Sequence, residues 1–124
     1  MNIISTDTAP AAIGPYSQAM VTGNLVFTSG QIAIDPATGN IVGETIEEQT
    51  TRVCENIKAL LTASGSDLSK VVKTVCFLRN MEDFAAFNAI YATYFVGKPA
   101  RSCVAVRELP KNVLVEIDTI AELG

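Results

Sequence analysis

The residues best suited to chemistry are Arg101 and Glu116, which stand in otherwise apolar surroundings near the end of the chain. Arg101 begins a predicted strand directly after Pro99 and Ala100, and Glu116 lies within the apolar run at residues 113–117. Burying a lone carboxylate is costly. One interpretation pairs the two side chains as an ordinary ion pair. The other is a site in which the arginine fork binds a substrate carboxylate while the glutamate orients or deprotonates a water.

Three further polar residues stand where a pocket could form. Tyr16 follows a Gly-Pro pair, and Ser29 precedes Gly30 at the end of a predicted strand, a position that exposes hydroxyls and backbone N–H groups. Asn88 lies on or beside the apolar face of a predicted helix, so it either makes a structural hydrogen bond or lines a pocket at an interface. None of these residues indicates a function by itself.

Composition restricts the available chemistry. The chain has no histidine, which removes the commonest metal ligand and the commonest general base. Its three cysteines, Cys54, Cys76 and Cys103, show no Cys-x-x-Cys spacing, so we expect no metal site. The nine basic residues are scattered and the net charge is −4, whereas a nucleic-acid-binding surface needs a basic cluster. We therefore expect no nucleic-acid partner.

The expected location is the cytoplasm. No apolar run approaches the roughly 18–20 residues that span a membrane. Residues 1–12 lack the basic segment followed by an apolar one that a secretory signal would have. An odd number of cysteines without such a signal predicts free thiols in a reducing compartment. We expect no membrane partner.

The apolar pattern predicts a single domain, residues 1–124, with the element order β-β-β-α-β-α-β-β. Thr45 and Glu48 form a capping-box pattern at the start of the first helix, and Gly65 ends that helix. Asn80 can cap a second helix over residues 82–95. Strands are predicted over residues 2–5, 16–21, 25–29, 71–78, 101–106 and 113–121.

The sheet built from these strands should have one covered and one uncovered face. Right-handed crossovers within a single sheet place both helices on the same face. The strands nevertheless carry apolar residues on both faces, as residues 71–78 do. Arg101 and Cys103 alternate onto one face of their strand and Ser102 onto the other. Because no chain remains to cover the second face, we expect copies of the protein to associate through it.

Several segments together resemble the RidA/YjgF family of imine deaminases. The paired C-terminal motif is highly specific: Pro-Ala-Arg-Ser at residues 99–102 and Leu-Pro-Lys-Asn-Val-Leu-Val-Glu-Ile at residues 109–117. Other resembling stretches are Ala-Pro-Ala-Ala-Ile-Gly-Pro-Tyr-Ser-Gln-Ala at residues 9–19, Thr-Ser-Gly-Gln-Ile at residues 28–32, and residues 72–77 and 84–95. The resemblance covers essentially the whole chain.

The resemblance implies both a fold and a reaction. The fold is α+β, like that of Bacillus chorismate mutase: a two-layer, six-stranded mixed sheet with two helices on one face. The family assembles as a homotrimer with sheets inward and active sites in clefts between subunits. The reaction is hydrolysis of 2-imino acids or enamines, such as 2-aminoacrylate, 2-iminobutanoate and 2-iminopropanoate, to 2-oxo acids and ammonia. No cofactor is required, because an imine carbon is already electrophilic and a positioned water attacks it readily.

The resemblance also implies roles for single residues. It makes Arg101 the clamp for the substrate carboxylate and Glu116 the residue that positions the attacking water, which favours a site over the ordinary ion pair. The other implied substrate-binding residues line the pocket or supply backbone groups near the substrate: Tyr16, Ser29, Gly30, Asn88, Ser102 and Cys103.

Two other functions remain open. The first is a non-catalytic trimer that binds small carboxylates such as 2-oxo acids and regulates or chaperones partner proteins. The second is ribonuclease activity, which is attributed to relatives, although the acidic charge and the missing histidine weigh against it. An assay of imine hydrolysis separates the deaminase from the binding module.

Overall fold

One mixed sheet and two helices make up the fold. The computed structural model describes all residues, 1–124. The elements are β1 (Asn2–Ile4), β2 (Ala19–Thr22), β3 (Leu25–Thr28), α1 (Ile46–Ala63), β4 (Val71–Leu78), α2 (Phe84–Tyr94), β5 (Ala100–Ala105) and β6 (Val115–Glu122). The strand order is β1-β2-β3-β6-β4-β5, and only β4 and β5 run parallel. Neither helix combines the length and the apolar character that a membrane-spanning segment requires.

The ends of α1 follow the prediction. Thr45 Oγ1 accepts a hydrogen bond from the Glu48 N–H at 3.1 Å, and the Glu48 carboxylate accepts one from the Thr45 N–H at 3.2 Å. The predicted capping box is therefore confirmed. Gly65 follows the helix with a φ of +87°, a conformation that glycine adopts without strain. The inward face of α1 includes four fully buried apolar side chains: Val53, Ile57, Leu60 and Leu61.

The second strand is shorter than predicted. β2 begins at Ala19 rather than at residue 16, because the chain before it forms a loop that is held by the Gln18 side chain. Gln18 Oε1 accepts a hydrogen bond from the Thr6 N–H at 2.7 Å. Its Nε2 donates to the carbonyls of Thr6, Ala9 and Pro10 at 2.9, 3.2 and 2.7 Å. This buried amide satisfies backbone groups of the loop that have no partner in the sheet.

α2 and β6 also begin later than predicted. One 3₁₀ turn, Met81–Asp83, precedes α2, and Asn80 makes no side-chain capping bond, so the predicted cap is wrong. β6 begins at Val115 because Lys111 and Asn112 have left-handed φ angles of +54° and +57°. Such a conformation turns the chain and interrupts an extended strand.

Both helices pack on one face of the sheet, as predicted. Tyr91 of α2 shares a hydrogen bond with Thr74 of β4 at 2.7 Å, on the same side as the buried cluster that α1 covers. The opposite face, which we call the open face, has no helix over it. Its apolar side chains are half-buried or exposed in one subunit: Ile3, Met20, Phe27, Val75, Phe77, Val104 and Ile120.

Candidate active site

Arg101 lies against α2 in a cleft that opens to solvent beside the edge strand β5. Its Nη1 donates a hydrogen bond to Asn88 Oδ1 at 2.6 Å. The guanidinium carbon lies 5.4 Å from the centre of the Phe84 ring and 4.8 Å from the centre of the Tyr91 ring, within the range of cation–π attraction. We call this group of four residues the Arg101 cleft.

The spacing along α2 explains how these side chains meet the arginine. Phe84, Asn88 and Tyr91 are four and three residues apart, so they share one face of the helix. Tyr91 is fixed by its hydrogen bond to Thr74, which is the register neighbour of Arg101 on β4. A guanidinium has five N–H donors in a planar fork, and Asn88 takes one of them. The cleft therefore retains the paired donors that bind a carboxylate.

A second pocket, of about 180 Å³, is lined by Tyr16, Gly30 and Glu116 among others, and we call it the Glu116 pocket. Gln31 and Ile117 exchange backbone hydrogen bonds of 2.8 and 3.1 Å, so the segment after β3 runs beside β6. This places Gly30 directly against the glutamate. A Cβ added to Gly30 would lie 2.8 Å from Glu116 Cδ, so a side chain at residue 30 has no room.

The environment of Glu116 favours its action as a base. Burial raises the pKa of the Glu116 carboxyl above its usual range, and the negative charge of Asp118 raises it further. Burial likewise raises the pKa of Asp118, which lies two residues along β6 on the same face. A carboxylate of raised pKa holds a proton more firmly, which suits it to accept one from water.

Arg101 and Glu116 do not meet within one subunit. Arg101 is the register neighbour of Thr74 on β4, and Glu116 is the neighbour of Phe77 on the same strand. Thr74 faces the helices and Phe77 belongs to the open face, so the two charged side chains project from opposite faces with β4 between them. The interpretation as an ordinary ion pair within the chain is therefore wrong.

Three other candidate residues lie outside these two clusters. The Ser29 hydroxyl donates to the Ser17 carbonyl at 2.6 Å and so holds the loop that carries Tyr16. Ser102 is exposed on the open face. Cys103 shares the helix-facing side of β5 with Arg101, and burial raises the pKa of its thiol. A thiol with a raised pKa is a poor nucleophile at neutral pH.

Sequence reasoning did not identify the aromatic partners of Arg101 or the clamp that Gln18 forms. Phe84 lies four residues before Asn88 and Tyr91 three residues after it, and this helical spacing is a signal in the sequence of a shared surface. No pattern in the sequence indicates the contacts of Gln18. No cluster of three cysteine, aspartate or glutamate side chains suited to hold a metal ion is present.

A family model described as Endoribonuclease L-PSP matches residues 6–123. The chain belongs to this family, the RidA/YjgF family. A candidate regulator, AldR, from Lactococcus lactis is 54% identical over 124 residues, which are 99% of this chain and 98% of that protein. The 2-iminobutanoate/2-iminopropanoate deaminase of Salmonella typhimurium is 47% identical over 122 residues, which cover 95% of this chain and 94% of that protein.

Solved structures of RidA/YjgF relatives share the fold. An endoribonuclease candidate from Thermotoga maritima is 53% identical with a TM-score of 0.96, over 100% of this chain and 98% of that one. TdcF from E. coli, solved with bound serine, is 41% identical with a TM-score of 0.94, over 100% of both chains. The predicted α+β fold with a six-stranded mixed sheet and two helices is confirmed.

Proposed function

We propose that this RidA/YjgF protein hydrolyses reactive 2-imino acids and their enamine tautomers to 2-oxo acids and ammonia. One observation carries the proposal: the subunit holds two complementary half-sites, a guanidinium with unused donors and a half-buried carboxylate of raised pKa. A 2-imino acid has a carboxylate and an electrophilic carbon, and each matches one half-site. The name of the Salmonella relative and the serine bound in TdcF support a substrate of this class, such as 2-aminoacrylate, 2-iminobutanoate or 2-iminopropanoate.

In this proposal Arg101 binds the substrate carboxylate through two parallel N–H···O bonds. Asn88 sets the orientation of the guanidinium, and the rings of Phe84 and Tyr91 stabilise its charge. The backbone around Ser102 and Cys103 contributes further polar contacts beside the substrate. These contacts position the imine carbon, which accounts for much of the rate gain in a reaction of an electrophile with water.

Glu116, in its ionised form, orients a water and accepts its proton while the water oxygen attacks the imine carbon. The new C–O bond forms as the C=N π electrons move to nitrogen, which takes up a proton. The hydroxyl proton of the resulting carbinolamine is then transferred to the nitrogen, a C=O double bond forms as the C–N bond breaks, and ammonia leaves with the C–N electron pair. The products are one 2-oxo acid and one ammonia for each imine and water consumed. The reaction needs no cofactor, because the imine carbon is itself electrophilic.

The proposal requires that one subunit supplies Arg101 and another supplies Glu116, since the two residues project from opposite faces of one sheet. A homotrimer with its open faces turned inward, in which the edge strand β5 of one subunit borders the open face of the next, would bring them together, with Tyr16, Ser29 and Gly30 on the Glu116 side. It would also cover the apolar side chains of the open face. The three free cysteines suit a reducing compartment such as the cytoplasm.

The test measures loss of an imine released in situ from threonine or serine by a dehydratase. The wild-type protein should accelerate this loss, and Arg101→Ala should abolish the acceleration. Arg107→Ala, which removes an exposed arginine outside both half-sites, is the matched control and should keep full activity. A wild-type protein that gives no acceleration over buffer would rule out the deaminase.

A second candidate is a non-catalytic module that binds small carboxylates and regulates partner proteins. The observation in its favour is the 54% identity to a candidate regulator. Such a module would be stabilised thermally by 2-oxobutanoate through Arg101 while showing no turnover. The same two measurements, imine loss and thermal stabilisation, therefore decide between the candidates.

A further inference from the structure

The Glu116 pocket has one polar and one apolar side. The carboxylate lies on the polar side, and three isoleucines, Ile13, Ile32 and Ile34, form much of the apolar side. Ile13 is 72% exposed, on the loop that carries Tyr16. A large apolar side chain exposed beside a carboxylate is a surface suited to contact an apolar group of a ligand.

Two of the isoleucines are held rigidly. The fully buried Asn56 of α1 donates hydrogen bonds from Nδ2 to the Ile32 carbonyl at 3.1 Å and to the Ile34 carbonyl at 2.8 Å. The segment that carries Ile32 and Ile34 is thus attached to the longest helix of the fold. The apolar side therefore consists of two residues on a rigid segment, Ile32 and Ile34, and one residue on the exposed loop, Ile13.

The pocket volume indicates what this subunit's side of the site can hold. Its 180 Å³ is below the range of about 300–1,000 Å³ that is typical of sites for drug-sized ligands. An apolar cavity of about 150 Å³ holds one benzene ring, and a water takes up about 30 Å³. The pocket is therefore large enough for an aliphatic group of a few carbons together with one water near Glu116.

We propose that Ile13, Ile32 and Ile34 bind the side chain of the imine and make the protein prefer 2-imino acids with branched aliphatic chains. This inference rests on the proposed function, because it assumes that Glu116 holds the attacking water. With the imine carbon beside that water, the apolar side of the same pocket offers a surface for the substrate side chain. A chain of four carbons, as in the imine derived from leucine, contacts all three isoleucines, whereas the single methyl of 2-iminopropanoate leaves most of this surface unused.

The test compares two imines that an amino-acid oxidase releases from leucine and from alanine. The measured quantity is the ratio of kcat/KM for the leucine-derived imine to that for the alanine-derived one. Ile13→Ala should lower this ratio about tenfold, because a side chain in an apolar pocket contributes roughly that much discrimination. Since Ile13 is mostly exposed, the variant should fold normally. Val42→Ala, an exposed apolar residue outside the pocket, should leave the ratio unchanged.

A second readout does not depend on turnover. At equal concentration, 4-methyl-2-oxopentanoate should raise the Tm of the wild-type protein more than pyruvate does, and Ile13→Ala should remove the difference. If the protein hydrolyses both imines and Ile13→Ala lowers the ratio by less than about threefold, the apolar-side proposal is overturned while the deaminase stands. If it hydrolyses neither imine but the Tm difference depends on Ile13, the deaminase fails and the apolar side is upheld as a binding surface.

Discussion

Replacing Gly30 by alanine should displace the Glu116 carboxylate by a distance that the structure defines. The added Cβ would lie 2.8 Å from Glu116 Cδ and 3.1 Å from its Cγ. Non-bonded carbon atoms pack at about 3.5–4.0 Å, so the carboxyl carbon must withdraw by roughly 1 Å. A misplacement of about 1 Å in a catalytic arrangement can reduce the rate about a hundredfold. We therefore expect kcat/KM for imine hydrolysis to fall by about that factor.

The Gly30→Ala substitution should reduce the catalytic activity without reducing the stability of the fold. The backbone of Gly30 does not have a positive φ, so alanine can adopt its conformation. The atoms that must move belong to the half-buried end of a side chain, so the Tm should change little. Gly97→Ala is the matched control, because its Cβ would make an ordinary contact of 3.5 Å with the Ser69 carbonyl oxygen. This control should keep wild-type activity in the same assay.

A double-mutant comparison tests whether the loss acts through Glu116. In the Glu116→Gln background, Gly30→Ala should cause little additional loss, because both changes remove the same positioned carboxylate. Wild-type activity in Gly30→Ala would refute the reasoning. So would a further hundredfold loss in the Glu116→Gln background.

Three further substitutions test the carboxylate-binding arginine, the proposed base and the loop that Gln18 holds. Arg101→Lys replaces a planar fork by a point charge and should raise KM about tenfold or more, with a smaller change in kcat, as steady-state kinetics would show. Asp118→Asn removes a negative charge that raises the pKa of Glu116; because Glu116 must be ionised to accept a proton, the acid limb of the kcat/KM–pH profile should move to lower pH. An unmoved limb would contradict this assignment of the base. Gln18→Leu leaves four backbone groups of the loop without their partner and should lower the free energy of unfolding by roughly 2 kcal/mol in urea titrations, whereas an unchanged free energy would show that the clamp is not needed.

Local patterns were sufficient to predict most of the fold. The capping box at Thr45 and the glycine at residue 65 determine α1, and the apolar run of β4 was predicted with the bounds that the structure shows. Errors occurred where tertiary contacts override the local pattern. The loop before β2 is held by Gln18, whose partners lie 8 to 12 residues away. β6 begins later than predicted because Lys111 and Asn112 adopt left-handed backbone conformations although neither is a glycine.

The candidate site was predictable in its residues but not in its geometry. The alternation of Arg101, Ser102 and Cys103 along one strand was predicted correctly. The relation between the two strands was not predictable, because spacing along one strand carries no information about the order of strands in a sheet. The insertion of β4 between β5 and β6 separates the half-sites within a subunit.

Mixing two inactive variants tests the shared site most directly. Subunits with Arg101→Ala and subunits with Glu116→Gln would be refolded together in equal amounts and assayed for imine hydrolysis, with formation of mixed oligomers checked by mass spectrometry. Each variant alone should retain no more than a small residual activity. In random mixed oligomers about one quarter of the sites combine an intact Arg101 from one subunit with an intact Glu116 from another, so about one quarter of the wild-type activity should return. Mixed oligomers that remain as inactive as their parents would contradict a site built from two subunits.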